Sequence, residues 1–201
     1  QRRQVIKGGL GVGALVLAGS GLMVPLGARN SGVTGRSISS AKKQMPIPRL
    51  IESTIDAPLE LTMGAGEWEI LPGIKTPTKG FNGPYLGPTV RVRNGQDVPV
   101  IYRNTLAESI AVHSHGLHVP GEVDGGPQRE IEPGGNWALE LPIRQQACTS
   151  WYHPHTHGKT GPQTYQGLAG FFIIDDENSD SLPLPKTYGV DDLPVVVQDR
   201  A

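Results

Sequence analysis

The 201-residue sequence contains 27 glycines and 18 prolines, with 37% hydrophobic and 18% charged residues. This composition is typical of short strands joined by many turns, and it argues against a helical bundle. A formal net charge of -1 gives no indication of nucleic acid or of an anionic surface as partner. The single cysteine, Cys148, excludes intrachain disulfides and cysteine-rich zinc sites.

The first segment of the chain has the pattern of an export signal. Arg2 and Arg3 resemble the twin-arginine motif, and an apolar, glycine-rich run without charge follows. We expect residues 1–28 to be a twin-arginine signal peptide of a periplasmic protein. The alternative is an N-terminal anchor helix, but the glycines make the run only weakly hydrophobic, so no stable membrane anchor is expected. Residues 29–45 are predicted to form a flexible linker.

Strand and turn patterns continue from residue 46 to the end of the sequence. Eight strands are predicted: 59–63, 89–93, 97–104, 110–115, 136–143, 150–155, 167–175 and 193–199. Apolar and polar residues alternate in 59–63 and, strictly, in 89–93. The Asn94-Gly95 pair is predicted to close a β-hairpin. These patterns indicate an all-β, antiparallel β-sandwich with Greek-key connections over residues 46–201. Because the last predicted strand ends near residue 201, we expect the natural protein to continue.

All six histidines lie in two short stretches, HSHGLH and HPHTH. Residues i and i+2 of a strand point to the same face, so His113 and His115 form one two-pronged chelator. His153 and His155 form a second, with His157 as a possible third member. If the two strands are neighbours, four imidazoles converge. The alternative, hydrogen-bonded histidines in a sandwich core, explains a pair of HxH motifs poorly.

The ligand type narrows the choice of metal without naming it. Neutral imidazole suits Zn, Cu, Fe and Ni, and ligation without carboxylate or thiolate favours copper or zinc. The metallo-β-lactamase pattern requires an aspartate where Thr156 stands, and a cupin-like iron site requires a glutamate closer to HxH than Glu122. Both of these alternatives are disfavoured.

Three longer stretches resemble a known family. They are GPYLGPTVRVRNGQDVPVIYRNTL, HSHGLHVPGEVDGGP and WYHPHTHGKTGPQTYQGLAGFFIIDDE. They are similar to the first cupredoxin (plastocyanin-like) domain of multicopper oxidases, most of all to the bacterial cuprous oxidases of copper efflux and copper homeostasis. The resemblance covers residues 59–199. It implies a cupredoxin-like fold and a copper-dependent oxidoreductase that couples one-electron oxidation of Cu(I) or phenolic substrates to reduction of O2 to water.

The resemblance also implies roles for individual residues. His113 matches a ligand of type 2 copper, and His115, His153 and His155 match ligands of the type 3 copper pair. Asp124 matches an acid that feeds protons toward oxygen, as a carboxylate beside a metal-bound water can do; the alternative is a turn-forming residue. This chain would thus supply half of a trinuclear cluster. The C-terminal cupredoxin domains of the same protein would supply the other half and type 1 copper.

Two residues depart from the family pattern. Ser114 stands where the family usually has a tryptophan between the first two histidines, which changes the packing around the ligands. Cys148 is followed by no methionine. It is therefore expected to be a small buried core residue rather than a ligand of type 1 copper.

Five further residues receive structural expectations. His118 is expected in a loop, and His157 is expected beside the ligands or as a gate near the cluster. Trp151, Tyr152 and Phe171 are expected in the core.

The expected partners are O2, Cu(I) or a small aromatic reductant, and the C-terminal domains. Alone, this chain is expected to be inactive. Some relatives are copper-free, exported cupredoxin scaffolds of cell division that have lost the copper histidines, and this is the main alternative. A copper-binding carrier without turnover is another. The four candidate ligands favour the oxidase.

Overall fold

A computed structural model describes residues 45–54 and 57–200. The signal peptide predicted over 1–28 and nearly all of the linker predicted over 29–45 lie outside these residues. The described part contains nine strands and two short helices: β1 Leu50–Glu52, β2 Leu59–Leu71, β3 Ile74–Phe81, β4 Thr89–Arg93, β5 Asp97–Asn104, β6 Val112–His115, β7 Asn136–Pro142, β8 Cys148–Pro154, α1 Thr160–Tyr165, β9 Gly170–Asp175 and α2 Glu177–Ser181. Within the described residues, no helix has the length and apolar character needed to cross a membrane.

The strands form two sheets around one buried core. The five-stranded sheet has the order β1-β4-β9-β8-β6, and the four-stranded sheet has the order β3-β2-β5-β7. The predicted sandwich is therefore confirmed. The expected antiparallel pairing is only partly right, because β1 with β4, β4 with β9, and β2 with β5 pair in parallel. These parallel neighbours are joined by connections that leave the sheet and return to it.

The predicted hairpin between β4 and β5 is wrong. Gly95 adopts a φ of 94°, and the turn carries the chain from one sheet to the other. The Asn94 N–H donates to the Asp175 carbonyl at the end of β9, whereas the Gly95 N–H donates to the Ile143 carbonyl beyond β7. Both strands bury apolar residues in the core from opposite sides. An alternating pattern and a local turn do not distinguish this arrangement from a hairpin.

Other segments also differ from the predicted strands. β1 and β3 were not predicted, and β2 extends to Leu71 instead of ending at residue 63. β3 contains Pro77, but it is an edge strand, where a proline is tolerated. Residues 193–199 form no strand, although their apolar run suggested one. Val195 and Val197 in this segment are 56% and 94% exposed.

Tyr152 anchors β8 in the core, as predicted. Its ring packs edge-to-face against Phe81, with centroids 4.9 Å apart, and its hydroxyl donates to the Pro88 carbonyl at 2.7 Å. A Cβ at Gly170 would lie 2.2 Å from this hydroxyl, so the neighbouring strand β9 needs a glycine there. This packing fixes β8, and with it the position of His153.

Candidate metal centre

The two histidine motifs lie on neighbouring strands. β6 and β8 pair antiparallel, with His113 opposite His153 and His115 opposite Trp151. The alternate residues Val112, Ser114 and Tyr152 are buried in the core. Because side chains alternate along a strand, the histidines and Trp151 lie on the outward face of the five-stranded sheet.

Three of the imidazoles converge closely. Ligand nitrogens of His113, His115 and His153 all lie within 4.8 Å of one another. His155 follows the end of β8, and its N–H donates to the Ala111 carbonyl at 2.8 Å. Its ring centroid lies 5.2 Å from that of His113 and 6.3 Å from that of His153. All four predicted ligands are thus brought to one place, with three of them closest together.

Hydrogen bonds determine which nitrogen each imidazole offers. His113 Nδ1 lies 2.9 Å from the Asp124 carbonyl, and His153 Nδ1 lies 2.7 Å from the Pro154 carbonyl. A carbonyl only accepts, so both Nδ1 atoms carry the hydrogen and both Nε2 atoms keep a lone pair. His115 Nδ1 lies 3.0 Å from His153 Nε2 and donates to it. A metal ion that bound His153 Nε2 would replace this donor.

Burial keeps His153 neutral. Desolvation lowers the pKa of His153 to about 4, the hydrogen bond to the Pro154 carbonyl opposes this shift, and the three neighbouring imidazoles lower the pKa further. A neutral imidazole is the form that ligates a metal. This candidate ligand therefore requires no loss of a proton before it could bind a metal.

The carboxylate of Asp124 lies close to Nδ1 of His113. The Asp124 N–H donates to the Pro120 carbonyl at 3.1 Å, which ends a turn, and its own carbonyl accepts from the Ser114 N–H. Its Oδ2 lies 3.3 Å from His113 Nδ1, and the side chain is 33% exposed. Asp124 is thus both a turn residue and a neighbour of a candidate ligand.

Ser114 points away from the cluster, into the core. It is 1% exposed, and its side chain forms a hydrogen bond with Tyr102. Burial raises the pKa of Tyr102 to about 12, and the Ser114 hydrogen bond opposes this shift. The space beside Ser114 is therefore occupied by the Tyr102 ring. This ring packs against that of Trp137, with centroids 5.8 Å apart.

The remaining candidates lie outside the converging set. His118 is exposed in a loop, as predicted, where its N–H donates to Gln145 Oε1 at 2.7 Å. His157 is exposed just beyond β8. Cys148 is only half-buried, and Gln145 Nε2 donates to its Sγ at 3.4 Å. The expected fully buried cysteine is thus partly wrong, because β8 begins at the rim of the sheet.

The prediction that Trp151 and Phe171 are core residues is wrong. Both are half-buried on the outward face, opposite each other on β8 and β9. The Trp151 ring stacks on that of His153, with centroids 4.0 Å apart. The sequence did contain a signal for this contact, since Trp151 precedes His153 by two residues and therefore shares its face.

A sequence profile of the multicopper oxidase family matches residues 62–179. The chain belongs to this family. Solved structures of multicopper oxidases have the same fold. CueO, a laccase-like enzyme of the lignin-degrading bacterium Ochrobactrum sp., superimposes with a TM-score of 0.72 and 38% identity, over 75% of this chain and 34% of that one. A laccase from Pediococcus acidilactici gives a TM-score of 0.76 and 37% identity, over 79% and 36%. The all-β, cupredoxin-like sandwich is therefore confirmed.

Other relatives of this chain are named as cell-division proteins rather than as oxidases. Cell division protein FtsP of Rahnella sp. (strain Y9602) is 48% identical over 81% of this chain, and that of Escherichia coli (strain K12) is 46% identical over 82%. The chain spans about a third of the length of these relatives, 34% and 35%. Oxidases and cell-division proteins thus both occur among its relatives.

The residues present fit the copper that the family implies. The converging donor atoms are all imidazole nitrogens. The hydrogen bonds of His113 and His153 place the hydrogen of each ring on Nδ1, so both Nε2 atoms keep a lone pair. A metal can take that of His153 once it displaces the His115 donor, and burial keeps His153 neutral. Copper accepts such an all-imidazole donor set.

Proposed function

We propose that this chain supplies half of a trinuclear copper site in a longer protein. That protein would oxidise Cu(I) or phenolic compounds and reduce O2 to water. The convergence of His113, His115 and His153 on one outward face carries the proposal, and His155 adds a fourth imidazole. His113 would ligate type 2 copper and the other three the type 3 pair. C-terminal cupredoxin domains would supply the remaining ligands and type 1 copper.

Copper bound here would supply one-electron chemistry toward O2. Other residues of the chain would orient the ligands and transfer protons. The carbonyl and carboxylate of Asp124 orient His113 through its Nδ1–H. The same carboxylate is partly exposed, so it can take protons from water and release them toward the cluster, where reduction of O2 consumes them. The expected periplasmic location, reached by twin-arginine export, is part of this proposal.

Copper content tests the proposal directly. The full-length protein, reconstituted with Cu(II) and analysed by elemental analysis, is expected to hold about four copper ions per chain, given a donor set that suits copper. Replacing His113 and His153 together by glutamine removes two converging lone pairs and is expected to leave about one, the type 1 ion. The matched control replaces the exposed His118 and His157 by glutamine and should keep the full complement. Full copper in the first variant would contradict the proposed ligands.

Asp124→Asn tests the role of the carboxylate. Asparagine keeps the backbone turn and the carbonyl that orients His113, but it carries no ionisable proton. We expect O2 consumption with Cu(I) to fall by about 10–100-fold while copper content stays unchanged. Glu122→Gln, which changes an exposed carboxylate in the same loop, is the control. Unchanged turnover in Asp124→Asn would show that Asp124 acts only as a turn residue.

A second candidate function is a copper-free role in cell division. It is favoured by the relatives at 44–48% identity, which are named Cell division protein FtsP. On this reading the histidines have a structural role only, and the reconstituted full-length protein would hold no copper. Bound copper without O2 consumption would instead support a carrier.

A further inference from the structure

Trp151 contacts two of the three converging imidazoles. Its ring stacks on His153, with centroids 4.0 Å apart and planes at 26°. It also lies tilted against His115, at 5.4 Å and 32°. His115 is its cross-strand partner in β6, and His153 is the next residue on its own face of β8. One indole thus limits the ring planes of candidate ligands from both strands.

On its other side, the indole borders an apolar groove. Phe171 on β9 lies opposite Trp151 in the sheet. Beyond them lies this groove of about 360 Å³, which Trp151, Leu86, Phe171 and Val195 line together. Trp151 therefore separates the histidine cluster from this groove. Because the indole stacks on His153, it keeps water from one face of that imidazole.

We propose that Trp151 is a positioning residue for the copper ligands. It fixes the ring planes of His153 and His115 so that their nitrogens lie close together before copper arrives. This inference rests on the proposed copper site. Ligands that are locked by their surroundings bind a metal more tightly, because less order has to be created on binding. Aromatic stacking supplies such a lock without using either ligand nitrogen.

The test compares two replacements of Trp151 in the full-length protein. Trp151→Leu keeps an apolar side chain but loses the flat face, and Trp151→Phe keeps a flat ring. We expect Trp151→Leu to weaken Cu(II) binding about 10–100-fold, measured by competition with a chelator, and to alter the near-ultraviolet absorption of the type 3 copper pair. Trp151→Phe should restore most of both. Trp68→Leu, which removes a tryptophan on β2 that is 40% exposed, is the control.

A readout without metal keeps the test decisive if Trp151→Leu folds poorly. Stacking on an indole shifts the ring protons of His153 upfield in the nuclear magnetic resonance spectrum of the metal-free protein. Wild type should show this shift, and Trp151→Phe should retain part of it. Absence of the shift in wild type would overturn the proposal.

Cu(II) binding by wild type and by Trp151→Leu distinguishes a failure of the role of Trp151 from a failure of the copper site. If wild type and Trp151→Leu bind Cu(II) with the same affinity and the same spectrum, only the role of Trp151 is overturned. If wild type holds no copper, the copper site fails, and the role of Trp151 fails with it.

Discussion

Replacing Gly125 by alanine is expected to destabilise this domain strongly. Gly125 has a φ of 82°, and a Cβ there would lie 1.7 Å from the Val112 carbonyl oxygen. The left-handed backbone alone costs a non-glycine residue about 1–3 kcal/mol. The blocking atom belongs to the backbone of β6 and cannot rotate away, which adds an overpacking cost of about 1–3 kcal/mol. We expect a total loss of about 3 kcal/mol or more.

Gly73→Ala separates the two costs. Gly73 has a similar φ of 77°, but a Cβ there would meet nothing within 4 Å. Only the backbone cost applies, so a loss of about 1–2 kcal/mol is expected. Urea unfolding of both full-length variants, followed by circular dichroism, makes the comparison. Equal losses would mean that the loop after Asp124 shifts freely away from β6, and that Asp124 is not held firmly against His113.

Asn104→Leu is expected to cost a similar amount through a different mechanism. Asn104 ends β5 and is 1% exposed. Its Nδ2 donates to the carbonyls of Glu108 and Ile131, each at 2.8 Å, and its Oδ1 accepts from the Leu106 N–H at 2.9 Å. Leucine has a similar volume but leaves two backbone groups without partners, the Glu108 carbonyl and the Leu106 N–H. The Ile131 carbonyl still accepts from the Ile110 N–H. At about 1–3 kcal/mol for each buried unpaired group, we expect a loss of about 3 kcal/mol or more.

Asn136→Leu is the matched control for this change. Asn136 is exposed at the start of β7, so its replacement should change the free energy of unfolding by no more than about 0.5 kcal/mol. Hydrogen exchange gives a second readout, since Asn104 secures the loop that leads into β6. We expect faster exchange in residues 105–111 of Asn104→Leu than in the control. Equal stability of the two variants would show that water replaces the lost partners.

Much of the histidine site could be predicted from the sequence because it depends on local geometry. The two-residue spacing of His113 with His115 places both on one face of any strand, whichever sheet that strand joins. The same rule applies to Trp151 and His153, although Trp151 was assigned to the core. The turns and alternating strands of residues 59–175 similarly indicated a sandwich before any contact was known.

Only the tertiary structure decided which strands are neighbours. The pairing of β6 with β8 brings together His113 and His153, which are 40 positions apart in the sequence. No local pattern specifies such a pair, because an alternating strand satisfies its buried face equally well in either sheet. The same freedom explains why β4 and β5, joined by a hairpin-like turn, lie in different sheets.

The sequence by itself thus determined the candidate ligand types, their shared faces and the all-β class. The tertiary structure decided the convergence of the imidazoles, the contact of Asp124 with His113 and the place of Trp151 against the cluster. The reason is physical: backbone alternation is a property of a few adjacent residues, whereas strand order follows from how the whole core packs.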